Sequence, residues 1–328
     1  MLHRFVVAIG AGCAAALLFA VSAQSSLLAM ALAYVAPLPI MIATLGWGLD
    51  AGAIAGVISV AVLALVAEPL SALVFAGTVA APAWVLAAFA VTPFARYLGR
   101  FKPSGQIHAS VGAMVSLAAV FGMIGGAVAL TTVIIVYGGY REAARHVAET
   151  IVSLAADAFD GAPGNFTARE FADVLVRFGP PAIAASTLLM LSVNLYCAAR
   201  STQLSRNLPR PLPDIPTSLA LPWPVGIAFL ACVGAAYALP SPTAQYFSIG
   251  AGGFGGALAL QGLAVAHALS RGLKMRPLML IALYACCVLR AKYTLPVLAG
   301  LGVIDGFLKL RSRAALIAST TPTGPNRR

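Results

Sequence analysis

The sequence predicts an all-α membrane protein, a polytopic bundle of about 8–10 transmembrane helices whose last pair is short or broken. Three observations carry that prediction. Of 328 residues, 60% are hydrophobic and only 9% charged, with a mean hydropathy of +0.92. Soluble domains carry about 25% charged residues, so a soluble fold is excluded. The charges fall in short clusters between long apolar runs. Finally, the last hydrophobic passage, 277–313, is interrupted by Arg290 and Lys292. Each half is too short to span a hydrocarbon core of roughly 30 Å, which needs about 20 helical residues. The passage is therefore a hairpin of two short helices or one broken, tilted helix.

No charge separates Arg4 from Asp50, and the polar break Ala23-Gln24-Ser25-Ser26 divides that run into helices at about 5–23 and 27–47. The first also has the build of a secretory signal, a basic start followed by an apolar core and then the small residues Ser22 and Ala23; it is read as retained. A third helix is expected at about 51–67, between Asp50 and Glu68, and a fourth at about 71–94, closed by Arg96, Arg100 and Lys102. A long fifth covers about 109–136. Residues 1–138 thus form an N-terminal group of five membrane helices.

Residues 139–178 differ and are expected outside the membrane. Val147, Ile151 and Leu154 recur at helical spacing while Arg145, Glu149 and Asp157 take other faces, so 141–159 reads as an amphipathic helix. Asp160-Gly161-Ala162-Pro163-Gly164 stops it. Thr167 and Glu170 form a capping box before a second amphipathic helix that shows Phe171, Val174, Leu175 and Phe178 on one side. The pair fits helices lying on the membrane surface or a lid over a cavity.

The C-terminal group, 179–313, restarts at Pro180 and Pro181 with a sixth helix to about 199. Residues 201–222 carry Pro209, Pro211, Pro213, Pro216 and Pro222, which makes them a stiff strap rather than a continuous helix. Trp223 suits an interfacial anchor. Helices at about 224–239 and 246–270 are divided by Pro240-Ser241-Pro242. After the terminal pair, 314–328 is rich in Thr, Pro and Ser and is expected to be disordered.

The net charge of +11 does not indicate nucleic acid, because the basic residues form no stripe and no aromatics interleave them. The expected partners are the bilayer and anionic headgroups. Placing Arg4, the 96–102, 200–210 and 271–276 groups and everything from Lys309 onward in the cytoplasm leaves Arg141, Arg145, Arg169, Arg177, Arg290 and Lys292 on the other side. The positive-inside rule favours that arrangement, with both termini cytoplasmic.

Charges within a membrane are costly, so Arg290, Lys292 and Asp305 are the first candidate ligand-binding residues. Either the two cations line an outward-facing cavity and attract an anionic group, or their side chains extend to the interface. Gln261, His267 and Asn194 join them as candidates, and each also suits an interhelical hydrogen bond. Gly250, Gly252 and Gly255 match a dinucleotide-loop spacing but follow no strand, so Gly252 and Gly256 are read as helix-packing positions. The chain offers no nucleophile with a base, no paired carboxylates, no metal-ligand cluster and no phosphate loop. The cysteines, Cys13, Cys197, Cys232, Cys286 and Cys287, lie in apolar runs without ligand spacing. The expectation is a protein that is not an enzyme and holds no cofactor or metal.

Pro37-Leu38-Pro39 with Leu45-Gly46 and Gly48, the strap leading into Leu221-Pro222-Trp223, Gln261-Gly262-Leu263-Ala264 with His267, and Gly302-Val303-Ile304-Asp305 before Arg311 and Arg313 together resemble the YybS-like predicted membrane proteins. That group is similar in helical pattern to the substrate-binding membrane components of energy-coupling-factor transporters. The resemblance implies a small-molecule binding subunit of the bacterial inner (plasma) membrane that works with separate ATPase and coupling subunits. A transport-type protein binding a small solute or lipid headgroup is therefore the first functional expectation. The alternatives are a non-transporting scaffold or assembly factor, and a five-plus-five inverted-repeat transporter.

Overall fold

The computed structural model describes residues 2–24, 26–67, 69–92, 109–154, 168–208 and 211–313. The expectations for Glu68, the 96–102 basic group, Asp157, the Asp160–Gly164 turn, Thr167 of the capping box and the 314–328 tail lie outside the described residues. Eight of the described helical passages are long and apolar enough to cross a membrane, and the protein is an all-α polytopic bundle.

The first crossing is α1, Leu2–Ala20. The second is interrupted: α2, Leu27–Val35, and α3, Pro37–Trp47, meet at Ala36, because Pro37 and Pro39 supply no N–H to continue the ladder. A tight junction at Gly48, with φ +106, turns the chain into α4, Leu49–Val66. The indole of Trp84 donates to the Leu49 carbonyl at 3.0 Å and ties that junction to the fourth crossing. That crossing comprises α5, Pro69–Phe75, a π segment, Ala76–Ala80, and α6, Ala81–Val91. The fifth is α7, Val111–Tyr137, capped by the Ser110 hydroxyl.

Helix α8, Tyr140–Leu154, is amphipathic but packs through Ala143, Ala144 and Ala148, while Val147 is exposed. Small residues win this face because α8 lies close against the start of α9, Ala168–Leu204. There the sequence expectation of a restart fails, since Pro180 and Pro181 lie inside one continuous helix. A proline removes one helical hydrogen bond and crowds the preceding turn, yet neighbours in a bundle can supply the lost partner. In the turn just before them the Tyr140 hydroxyl donates to the Leu175 carbonyl at 2.8 Å and abuts Gly179, which fastens α8 to α9 there. Burial pushes this tyrosine up to about 12, so the hydroxyl remains a donor.

A strap, 205–223, contains the one-turn α10, Ile215–Ser218, and leads to α11, Pro224–Ala238. Helix α12, Thr243–Leu269, stands at the centre of the C-terminal half. Its glycines face different neighbours. Gly252 faces the Pro181 carbonyl of α9, Gly253 the Met123 side chain of α7, and Gly255 the Phe229 ring of α11. Gly256 lies on the α9 side, against Leu188 and Ala185.

The terminal pair is α13, Arg276–Leu289, and α14, Ala291–Leu308, broken at Arg290. Only α14 is long enough to cross. Gly262 faces the Leu298 carbonyl and Gly302 the Leu258 carbonyl, so α14 runs antiparallel to α12. Ala291 therefore starts α14 at the end of the bundle where α12 finishes, and α13 begins and ends there too. This corrects the placement of Arg290 and Lys292 on the opposite side from the 271–276 group. All of them share the end where α12 finishes.

At Gly252 and Gly262 an added Cβ would overlap a backbone carbonyl, which cannot rotate away. Gly252→Leu and Gly262→Leu are each expected to destabilise the bundle by about 1–3 kcal/mol or more, read as a lowered Tm in detergent. An unchanged Tm for both would contradict the packing of α12.

Candidate functional site

Two polar features lie along the strap. The first is a buried network that holds the strap. Lys309, at φ +51, turns the chain after α14 and brings Arg311 back over Asp305. The Arg311 guanidinium donates to Asp305 Oδ2 from Nη2 at 2.7 Å and from Nε at 3.1 Å. It also donates to the strap carbonyls of Pro216 at 2.8 Å and Leu219 at 2.7 Å. Gln261 of α12 completes the network. Its Oε1 accepts from the Leu221 N–H at 2.9 Å, and its Nε2 donates to Asp305 Oδ2 at 2.9 Å and to the Gly302 carbonyl at 3.2 Å. Asp305 is 4% exposed and Gln261 1%. The close contact of α12 with α14 at Gly262 and Gly302 is what brings these side chains within reach.

A second tie lies at the surface. Arg271 donates to Asp214 Oδ1 at 2.7 Å, and Thr217 to Oδ2 at 2.7 Å. Those bonds, Arg271 first, hold the Asp214 carboxyl below the usual carboxylate range.

The second feature is a cavity of about 600 Å³ beneath the strap, bounded by α6, α7, α9 and α12, with Leu45 of α3, and reached by Tyr284 of α13. Its walls are mostly apolar: Met114 and Val115, Leu189 and Val193, Leu260 and Leu263, with Leu212 and Ile215 from the strap. The polar groups are few. His267 Nδ1 lies 2.9 Å from the Leu263 carbonyl, which can only accept, so Nδ1 carries the proton. In the neutral ring Nε2 is then an acceptor for the Tyr284 hydroxyl, 3.2 Å away. The Ser192 hydroxyl, buried along the α9 wall, has no partner among the described residues. A volume of this size suits a small organic ligand, held by apolar contact and oriented by a few hydrogen bonds.

The residues predicted from sequence divide between these places. Asp305 and Gln261 come together, but in the network that holds the strap. His267 lines the cavity. Asn194 donates to the Met190 carbonyl at 2.8 Å and to the Tyr34 carbonyl at 2.7 Å, steadying the last turn before the break at Ala36. Arg290 and Lys292 are exposed at the α13–α14 junction, the Lys292 ammonium lying 4.9 Å from the Tyr293 ring centre. They do not share a site with Asp305, because thirteen residues of helix put Lys292 about 20 Å from it.

Sequence reasoning missed Arg311, Asp214, Ser192 and Tyr284. Arg311 was legible only as part of a basic cluster at a helix end, and nothing in its spacing points back to the strap. The five cysteines are free. Among the described residues no three potential metal ligands gather.

Residues 13–306 match the family described as "Predicted membrane protein (DUF2232)", and the chain belongs to that family. No curated protein and no solved structure matches the chain.

Removing one member of a buried ion pair leaves the other uncompensated, at a cost of about 3–5 kcal/mol. Asp305→Ala is expected to lower stability by that order in detergent unfolding, and the double variant Asp305→Ala/Arg311→Met by distinctly less than the sum of the single changes. Additive losses would contradict the pairing.

The Asp214 tie has a definite pH sign. A carboxyl whose folded pKa is depressed adds stability above its unfolded value, and that is lost as pH falls through the folded one. Protection of the amides over residues 215–219, measured against their intrinsic exchange rate at each pH, is expected to fall on acidification below the ordinary carboxylate range. Asp214→Asn should show fast exchange already at neutral pH.

Proposed function

We propose that this member of the DUF2232 family is a transport-type membrane component that binds a small molecule between its helices, in the cavity beneath the strap. The observation that carries the reading is the cavity itself. It is about 600 Å³, walled by membrane-crossing helices from both halves of the chain and covered by a strap that two separate polar ties hold in place. A packed structural bundle has little use for such a volume, because protein interiors fill their space to crystal-like density. Within this chain no phosphate loop followed by Lys and Ser or Thr supplies energy, which supports separate ATPase and coupling subunits as partners.

Among the described residues, the end where α12 finishes collects Arg4, Arg200, Arg206, Arg271, Lys274, Arg276, Arg290 and Lys292, while Arg141, Arg145 and Arg177 lie at the opposite end and Lys309, Arg311 and Arg313 follow the terminus of α14 remote from Lys292. That asymmetry supports a cytoplasmic position for the end where α12 finishes in a bacterial inner membrane, with the 139–178 segment outside.

A specific observation favours a second reading, a non-transporting scaffold or assembly factor. The charges that break the last apolar passage do not enter the cavity. Asp305 is consumed in holding the strap, and Arg290 and Lys292 are exposed and do not line the cavity.

Purification of the full chain in mild detergent, with mass spectrometry of what accompanies it, separates the two readings. A stoichiometric small molecule is expected, and Leu263→Trp, which fills the cavity, should abolish its recovery at unchanged protein level. Arg290→Gln and Lys292→Gln should leave recovery unchanged. Only membrane-assembly proteins, with no small molecule from the parent chain, would overturn the binding role in favour of the scaffold.

A further inference from the structure

Three residues of the cavity wall are also on the outside of the protein. Leu189, Val193 and Tyr196 line the cavity yet are 49%, 50% and 47% exposed. They lie at spacings of four and three on one face of α9, within its membrane-crossing passage Ala172–Leu204. An opening bordered by this face looks toward lipid tails. The aqueous end is closed instead, because the strap lies across it and is tied at Asp214, at Pro216 and Leu219, and at Leu221.

The edge of the opening opposite α9 involves the most loosely held helix of the C-terminal half. Helix α13 has no buried residue, and its Arg276, Leu280, Leu283 and Cys287 stripe is half-buried. Its ends are a turn containing Gly272 at φ +83 and the irregular Arg290. Tyr284 closes on His267 through a single 3.2 Å hydrogen bond and an edge-on ring contact. Besides that contact, α13 is held to the core by Leu283 and Cys287, and none of these residues belongs to the buried network.

Resting on the reading that the cavity binds a ligand, we propose that the ligand enters sideways from the bilayer, between α9 and α13. We further infer that it is a membrane-dissolved amphiphile with an apolar body and an uncharged hydrogen-bonding head. The apolar walls match the body. His267 with Tyr284, and the unpartnered Ser192 hydroxyl, offer hydrogen bonds to the head. Among the described residues that line the cavity, the carboxylate of Asp214 is already matched by Arg271.

The test uses the full chain in lipid nanodiscs and two photoreactive alcohols: a diazirine analogue of hexadecanol dissolved in the lipid, and a short water-soluble one. The long-chain probe is expected to label Leu263 in the interior as well as Leu189 and Val193 at the mouth, with competition by unlabelled hexadecanol. Val193→Trp, at the exposed mouth, should remove most interior labelling at unchanged Tm. Tyr284→Phe should weaken it severalfold. Interior labelling by the water-soluble probe alone would overturn entry from the bilayer while leaving a binding cavity. Stronger interior labelling by a diazirine-bearing anionic phospholipid would overturn the uncharged head. Failure of every probe to label Leu263 would instead remove the cavity reading beneath this proposal.

Discussion

The strap cannot satisfy its own backbone, and much of the C-terminal half is arranged around that constraint. Prolines at 211, 213, 216 and 222 remove N–H donors and prevent a continuous helix, so carbonyls along the segment have no local partner. Where such a segment enters a bundle without water, its polar groups must be met by side chains. Arg311 meets two carbonyls, Pro216 and Leu219, and Gln261 meets the Leu221 N–H. A buried guanidinium in turn needs a counter-charge, and Asp305 provides it. The aspartate that looks like a membrane-embedded site from sequence is thus the far end of a chain of obligations begun by prolines some ninety residues earlier.

The network forms only because α12 and α14 approach to backbone contact. Glycines on the two helices remove the side chains that would hold them apart, and α12 repeats the device toward α7, α9 and α11. Association of helices in a membrane depends on such packing, since lipid is as apolar as the side chains themselves. A central helix of small residues therefore collects neighbours on every face. The cavity lies where this close packing stops, beyond the glycine-rich part of α12 and under the strap.

That placement decides how the polar residues divide. Groups deep between α12 and α14 are fully bonded and hold structure. Groups toward the end of α12 are less committed: His267 has one flexible partner and Ser192 none among the described residues. Recognition chemistry, in the reading proposed above, belongs to the second set.

Hydrophobic runs and their charged borders determined from sequence alone that the protein is a membrane helix bundle, along with the approximate position of nearly every crossing. Burial in lipid demands about 20 apolar residues per span, and such runs are local. The glycine-rich character of α12 and the proline strap were equally legible, whereas the apolar run over 27–47 reads as one helix through the break at Pro37. Tertiary structure alone decided the rest. Continuity of α9 through Pro180 and Pro181 goes with close packing on its neighbours, Gly252 of α12 lying against the Pro181 carbonyl. The pairing of Asp305 with Arg311 depends on a left-handed turn at Lys309, and the separation of Arg290 and Lys292 from both depends on which way α14 runs. These are relations between distant segments, set by packing and hydrogen-bond satisfaction, and a hydropathy pattern carries no record of them.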